Sequence, residues 1–193
     1  MTQREARIDQ VLARRQPGLT VVLEDVHDPH NAAAVLRSAD ATGVLEIHTV
    51  HQHEPAPTKR PSRATSSSAT KWVPVVRHED VATCYAALRE RGVQIVATAL
   101  TDDSVDLYDV DFTRPTAIVM GNEHRGLTSG AIAAADLTVR IPMSGMVESL
   151  NISVATAVTL FEAFRQRRAA GFYDEPQLAP DALARLRDEW LRK

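Results

Sequence analysis

The sequence predicts an α/β domain: a mostly parallel sheet flanked by helices. Three observations predict it. Short apolar runs of strand length alternate with helical segments along most of the chain. Glycine or proline punctuates many of the boundaries between them. Three polar clusters also sit at junctions between elements, where open α/β sheets carry their ligands.

Residues 4–15 have the spacing of an amphipathic helix. Ile8, Val11 and Leu12 form one stripe, Arg4, Arg7 and Arg14 another, and Pro17-Gly18 ends it. Thr20 to Val26 is a buried strand. Asp28-Pro29-His30-Asn31 is a turn and cap signal, and the helix after it runs to Gly43. Val44 to Val50 is the next strand. Residues 51–70 hold few large apolar groups and many Pro, Ser and Thr, which predicts a long functional or disordered loop. Trp72 to Arg77, interrupted by Pro74, predicts a short or edge strand.

A helix follows over 79–91, ended by Gly92. Then come strands Val93 to Ala99 and Thr116 to Met120, a short helix over 128–135 and a strand over 137–141. A long helix starts near Ser149 and runs to 169, with Val154, Ala157, Val158, Phe161 and Phe164 as its buried stripe. The last helix puts Leu183, Leu186 and Trp190 on one face. The organisation is one catalytic domain over 19–170, with helical extensions over 1–18 and 171–193.

A chain of 193 residues is long enough for one domain with a real core. Its 44% apolar and 24% charged residues are ordinary for a soluble globular protein. The single cysteine, Cys84, excludes an internal disulfide and any multi-cysteine zinc site. A polar N-terminus and the lack of a long apolar run predict a cytoplasmic protein with no membrane association. The net charge of −3 does not advertise a nucleic-acid binder, but its distribution leaves basic patches. Arginines crowd the first helix and the end of the long one. Lys59, Arg60, Arg63 and Lys71 lie in or beside a loop with no acid between Glu54 and Lys71.

Several chemistries are excluded by missing motifs. There is no Gly-x-x-x-x-Gly-Lys-Ser/Thr loop, no dinucleotide fingerprint, no Gly-x-Ser-x-Gly elbow and no His-Glu-x-x-His pair. His48, His51 and His53 are close in sequence, but alternation at a strand end fits solvated side chains, and no metal is expected.

The positive signals are three. Asn31 and Arg37 are six residues apart, about 600° around a helix, so they do not share one line of it. Asn31 fits a cap or turn residue, with Arg37 two turns in. The bland alternative is a cap and a surface arginine. Gly121-Asn-Glu-His-Arg-Gly126 follows an apolar strand, and its glycines permit tight geometry and close approach to a ligand. Glu123 then sits at a strand's C-terminal end. A turn with a solvated glutamate reads equally well from this cluster alone.

The third cluster, Ile141-Pro-Met-Ser-Gly-Met-Val-Glu-Ser-Leu-Asn-Ile-Ser-Val-Ala155, joins a strand to a helix. Such a junction offers free N–H groups, and Met143, Met146 and Leu150 add an apolar lining. That mixture suits an adenine ring beside a charged or polar moiety. Ser149 could equally serve as a simple cap.

Taken together and in this order, the three clusters resemble the three signature motifs of the SPOUT RNA methyltransferases. The resemblance covers nearly the whole chain. Within the superfamily it is greatest to the tRNA guanosine-18 2′-O-methyltransferases. Arg14-Arg15-Gln16-Pro17-Gly18-Leu19-Thr20-Val21, Val26-His27, Pro29-His30-Asn31 and Thr113-Arg114-Pro115 carry it. The resemblance implies a C-terminal deep trefoil knot, which the strand pattern would not suggest because knots are very rare. It implies S-adenosylmethionine as cofactor, tRNA as substrate and a homodimer that pairs the knot regions and helps complete each site. A ribosomal RNA methyltransferase or a catalytically silent RNA-binding module are the rival readings.

Carried over by position, the resemblance makes Arg37 catalytic, with Asn31, Glu123, Ser149 and Asn151 shaping the pocket. Thr98, Leu100, Gly121, Ile141, Met143 and Leu150 match cofactor-contacting positions. The implied chemistry is attack of a ribose 2′-oxygen on an activated methyl. It chiefly requires alignment and a weakened hydroxyl proton. A guanidinium ordinarily keeps its proton and is an awkward base, so Arg37 acts either as a transiently neutral guanidine or by positioning. Arg7, Arg15, Arg165 and Arg168 are the candidate phosphate contacts. Asp28 and His124 stand where relatives often have lysine, and Glu148 where glutamine is common, so the site is less positive.

Overall fold

The computed structural model describes residues 1–53 and 69–193. Lys59, Arg60 and Arg63 lie outside the described residues. Among the described residues seven parallel strands form one sheet in the order β3-β2-β1-β6-β4-β7-β5. They are β1 (Leu19–Glu24), β2 (Ile47–Val50), β3 (Val75–His78), β4 (Gln94–Thr98), β5 (Val105–Asp106), β6 (Thr116–Met120) and β7 (Leu137–Arg140). The α-helices among the described residues are α1 (Gln3–Leu12), α2 (Pro29–Ala41), α3 (Ala69–Trp72), α4 (Val81–Glu90), α5 (Ser129–Ala133), α6 (Ile152–Ala169) and α7 (Pro180–Arg192).

β1 and β6 are neighbours at the centre, and every residue of both strands is buried. Their side chains alternate between two cores, as the strand period requires. Val21, Leu23 and Ile118 face α2 and α6, meeting Val35, Leu36, Leu160 and Ala163. Val22, Ala117 and Val119 face α4 and α5, meeting Cys84, Tyr85, Leu88 and Ala131. A third cluster joins the two ends of the chain: Ile8 and Leu12 of α1 pack on Trp190, Leu183 and Leu186 of α7. Arg187 adds a bond to Asp9 at 2.6 Å.

Several expectations are corrected. α2 begins at Pro29 with Asp28 as its N-cap, so Asn31 lies inside the first turn rather than capping it. α6 begins at Ile152 with Asn151 as N-cap, three residues after Ser149. Part of the predicted strand over 72–77 is α3, and the strand proper is β3, at the sheet edge as the proline suggested. The two-residue β5 was not foreseen.

The buried residues of α6 are Ile152, Thr156, Thr159, Leu160, Glu162, Ala163 and Arg167, whereas Val154 and Phe161 of the predicted stripe are 47% and 51% exposed. This helix is apolar or small on more than one side, so periodicity alone does not choose its inner face.

Arg15 is corrected most firmly. It is fully buried, with Nη1 donating to Val44 O at 2.8 Å and Nη2 bonded to Asp40 at 2.5 Å, and its guanidinium lies 5.1 Å from the Trp190 ring. A cation sealed in this way holds α1, α2 and α7 together and cannot reach a phosphate. Arg167 is likewise buried and binds the carbonyls of Gly18, Phe112 and Arg114. Burial pushes its guanidinium down to about 10.

Candidate functional site

At the C-terminal ends of β4, β6 and β7 the loops enclose a cavity of about 640 Å³. That is the size of an ordinary small-molecule site, and strand C-termini are where parallel sheets bind ligands. Three segments wall it. The β4 end contributes Thr98 to Thr101; the turn after β6 contributes Gly121 to Leu127; the segment after β7, with the first turn of α6, contributes Ile141, Met143, Glu148 to Ile152 and Ala155. All six residues expected to contact a cofactor are in these walls: Thr98, Leu100, Gly121, Ile141, Met143 and Leu150. So are Glu123, Ser149 and Asn151.

The turn after β6 is rigidly made. Asn122 N and Gly126 O, and Gly126 N and Asn122 O, bond at 3.0 and 2.9 Å, which closes the turn on itself. Asn122 Oδ1 accepts from His124 N at 2.9 Å and Arg125 N at 3.2 Å. Gly126 has φ +68, a conformation glycine adopts freely. At Gly121 an added Cβ would fall 2.2 Å from the Gly126 carbonyl carbon and 2.2 Å from Leu127 N. Backbone packs on backbone there, so no side chain fits.

Two acids at the end of β1 hold this turn, and the sequence reading missed both. Glu24 accepts from Thr128 N at 3.0 Å and Thr128 Oγ1 at 2.7 Å. Asp25 accepts from Asn122 Nδ2 through its carbonyl at 2.8 Å. Its carboxylate takes the N–H groups of Gln52 and His53 at 2.8 and 3.1 Å, and pairs with Arg125 at 3.3 Å. Asp25 is buried and has φ +52. It is the one non-glycine residue at positive φ among the described residues. A strained, buried acid at a strand end marks a position that the surroundings over-determine. The consecutive acidic pair Glu24-Asp25 after an apolar run was the available sequence signal.

Asn31 links this turn to the third segment. Its Nδ2 donates to Glu123 Oε1 at 3.0 Å, and its Oδ1 accepts from Asn151 Nδ2 at 3.1 Å. Asn151 in turn caps α6, its Oδ1 accepting from Ser153 N at 2.9 Å. Three residues 92 and 120 positions apart along the chain thus form one polar chain. Ser149 lies in the wall but outside this chain.

Arg37 is not brought into the group. It is exposed, is not among the cavity residues, and its side chain makes no hydrogen bond or ion pair among the described residues.

The basic candidates divide. Among the described residues the exposed side chain of Arg7 bonds only Gln10, at 2.9 Å, and the exposed side chain of Arg168 makes no hydrogen bond or ion pair. Arg165 is exposed but neutralised by Glu162, in two bonds of 2.9 and 2.8 Å. Arg15 is excluded by its burial. His48, His51 and His53 do not gather. Among the described residues, the group whose donor atoms converge is His48, His78 and Cys84. Burial, the largest influence, pushes the His48 imidazole down to about 4.

Comparison with known proteins adds the following. The model of the SpoU rRNA Methylase family matches residues 18–161. A Thermus thermophilus protein named tRNA (guanosine(18)-2'-O)-methyltransferase is 50% identical over 190 residues, 98% of this chain and 96% of its own length. A Pseudomonas syringae 23S rRNA (guanosine-2'-O-)-methyltransferase is 42% identical, covering 86% of this chain but 66% of the relative. The crystal structure of the A. aeolicus TrmH/SpoU tRNA modifying enzyme superposes with a TM-score of 0.91 at 35% identity, over 98% of this chain and 95% of that one. The SpoU methyltransferase AviRb from Streptomyces viridochromogenes, solved in complex with AdoMet, superposes at 0.71 with 32% identity, over 83% of this chain and 62% of that one.

Proposed function

This chain belongs to the SpoU rRNA methylase family, and from that premise we propose that it 2′-O-methylates guanosine 18 of tRNA, using S-adenosylmethionine. The observation that carries the reading is the likeness over nearly the full length of both chains to an enzyme named for that reaction. The ribosomal relative is matched over only two thirds of its own length, so the tRNA reading is the better supported.

The cavity fits the cofactor. Its volume and its mixture of apolar side chains with turn backbone suit an adenine ring beside a charged moiety. Thr98, Leu100, Gly121, Ile141, Met143 and Leu150 are the residues we assign to hold it. When bound, the cofactor supplies a methyl group already activated on a sulfonium. The chain's own task is to align a ribose hydroxyl and ease removal of its proton. Asn31, Glu123 and Asn151 hold one another in register, and Ser149 adds a free hydroxyl at the rim. We assign Arg37 to the 2′-hydroxyl, which it polarises and positions.

A homodimer is part of the same reading. Val154 and Phe161 of α6 are half exposed, and Met146 and Val147 are exposed beside the cavity segment. A second copy covering these groups would complete each site and account for Arg37 standing outside the cavity of its own chain. The C-terminal knot also belongs to the proposal. It is supported by β7 lying between β4 and the earlier β5. Arg7 and Arg168 are the remaining phosphate contacts of this reading, with Arg165 secondary because Glu162 occupies it. No helix among the described residues is long and apolar enough to cross a membrane; a cytoplasmic location is proposed from the tRNA substrate.

The test is methyl transfer from labelled S-adenosylmethionine to unmodified tRNA, with the modified nucleoside mapped. 2′-O-methylguanosine at position 18 is the expected product. A methylated ribose elsewhere moves the target, and cofactor binding without transfer to any RNA overturns the enzymatic reading. Arg37→Ala is expected to lose at least about 100-fold in transfer while still binding cofactor. Lost cofactor affinity in that variant would remove Arg37 from the catalytic role.

A further inference from the structure

We propose that His48, His78 and Cys84 form a site for one soft divalent cation, zinc foremost, beneath α4 at the β2–β3 edge of the sheet. None of the three lines the cavity described above, so the site is separate from methyl transfer.

The geometry follows from strand register. β2 and β3 pair His48 with Val76 and Val50 with His78. Both histidines therefore point to the same face, as diagonal neighbours. α4 packs on that face and delivers Cys84, which is buried. His48 Nδ1 lies 2.9 Å from His78 Nε2, and the donor atoms of all three residues lie within 4.8 Å of one another. A tetrahedral zinc with Zn–N near 2.1 Å and Zn–S near 2.3 Å separates its ligand atoms by roughly 3.3–3.7 Å. The two rings would have to part by about half an ångström, and the Cys84 thiol, within 4.8 Å of the ring nitrogens, to close in by up to about 1 Å. His78 is half-buried on an edge strand, so it is free to make that shift and gives the cation a way in.

A second observation points the same way. His48 Nε2 is buried without a hydrogen-bond partner, and the Glu46 carboxylate stands 3.7 Å from it through Oε1. A carboxylate behind the far nitrogen of a histidine is the arrangement that orients metal-bound imidazoles. Glu46 is itself held by Arg91 at 2.6 Å. With the cation bound, each imidazole keeps its single proton, on Nε2 of His48 towards Glu46 and on Nδ1 of His78. Only the thiol proton of Cys84 is released, to solvent. Two nitrogens and one thiolate select zinc or a similar ion over magnesium or calcium, which prefer oxygen. Three protein ligands leave a fourth position for water.

The test uses the untagged full-length chain, stripped with EDTA and then titrated with zinc chloride by calorimetry and with cobalt chloride by absorbance. One cation per chain, retained through gel filtration, is expected. Cobalt should give a near-ultraviolet thiolate-to-cobalt charge-transfer band. Cys84→Ala and His78→Ala should each weaken binding at least tenfold, while His53→Ala leaves it unchanged. Absence of stoichiometric binding, or equal binding by Cys84→Ala, overturns the proposal. The cobalt band is read on the native chain, so it decides the matter even where a variant fails to fold: without the band, Cys84 is not a ligand.

Discussion

The two walls of the cavity are built in opposite ways. The turn over Gly121–Gly126 is closed on itself and clamped from β1, with Glu24 holding its far end and Asp25 its near end. The facing segment, residues 142–150, makes no hydrogen bond among the described residues and leaves Met146 fully exposed. One wall is therefore finished by the fold. The other is left open for whatever fills or covers it, which in the proposed reading is the cofactor and a second copy of the chain. That division is physically sensible, since a preformed wall lowers the ordering cost of binding while an open one admits the ligand.

The comparison is broken most severely at Gly121. Gly121→Ala drives a Cβ to within 2.2 Å of backbone that cannot yield locally. The turn must shift, at a cost of about 3 kcal/mol in stability, and cofactor affinity should fall with it. Thermal unfolding and cofactor calorimetry read both. A Gly121→Ala variant with native stability and native affinity would mean that the turn is not the rigid wall.

Asp25 comes next and separates strain from bonding. Asp25→Gly relieves the positive φ but leaves the N–H groups of Gln52 and His53 without their acceptor, at about 2 kcal/mol. Asp25→Asn tolerates the same backbone and retains an oxygen for those donors, so it should cost about 1 kcal/mol or less. Denaturant unfolding ranks the two. If glycine were the milder change, backbone strain rather than the carboxylate's bonds would dominate this residue.

On the open side, Phe161→Asp should leave the monomer folded, because that ring is half exposed and outside the buried line of α6. It should convert a dimer into monomer and lower transfer sharply. Light scattering and the methyl-transfer assay together check this. A monomeric native protein with full activity would remove the second copy from the site.

Much of this was legible in the sequence, for identifiable reasons. β1, β4 and β6 are apolar runs bounded by punctuation, and β6 falls on Thr116–Met120 as expected. The three polar clusters were legible as places, since each follows or opens an element, and Asn31, Glu123 and Asn151 do converge. The inner face of α6 was not, because two apolar lines compete on it and only the packed fold selects one. The burial of Arg15 and Arg167 was not, because an arginine is ordinarily solvated and nothing local announces its carbonyl partners. The clamp by Glu24 and Asp25 depends on contacts about 100 residues away. Likewise, His48, His78 and Cys84 are brought together by strand register and α4 packing, while the nearer histidines 51 and 53 stay apart.

The smallest effect is expected at Gly145, in the open wall, and it is the sharpest contrast with Gly121. An alanine Cβ at Gly145 meets nothing within 4 Å, and its φ is not in the left-handed region. In the free chain, Gly145→Ala should therefore change stability by no more than about 0.5 kcal/mol, with a slight gain from the stiffer unfolded chain. Any cost must arise when the segment closes on its ligand, so cofactor affinity is where the methyl would be felt, by less than about tenfold. Thermal unfolding without and with S-adenosylmethionine separates the two contributions. A large loss of stability in the free protein would mean that residues 142–150 are already packed, and the distinction between a finished wall and an unfinished one would fail.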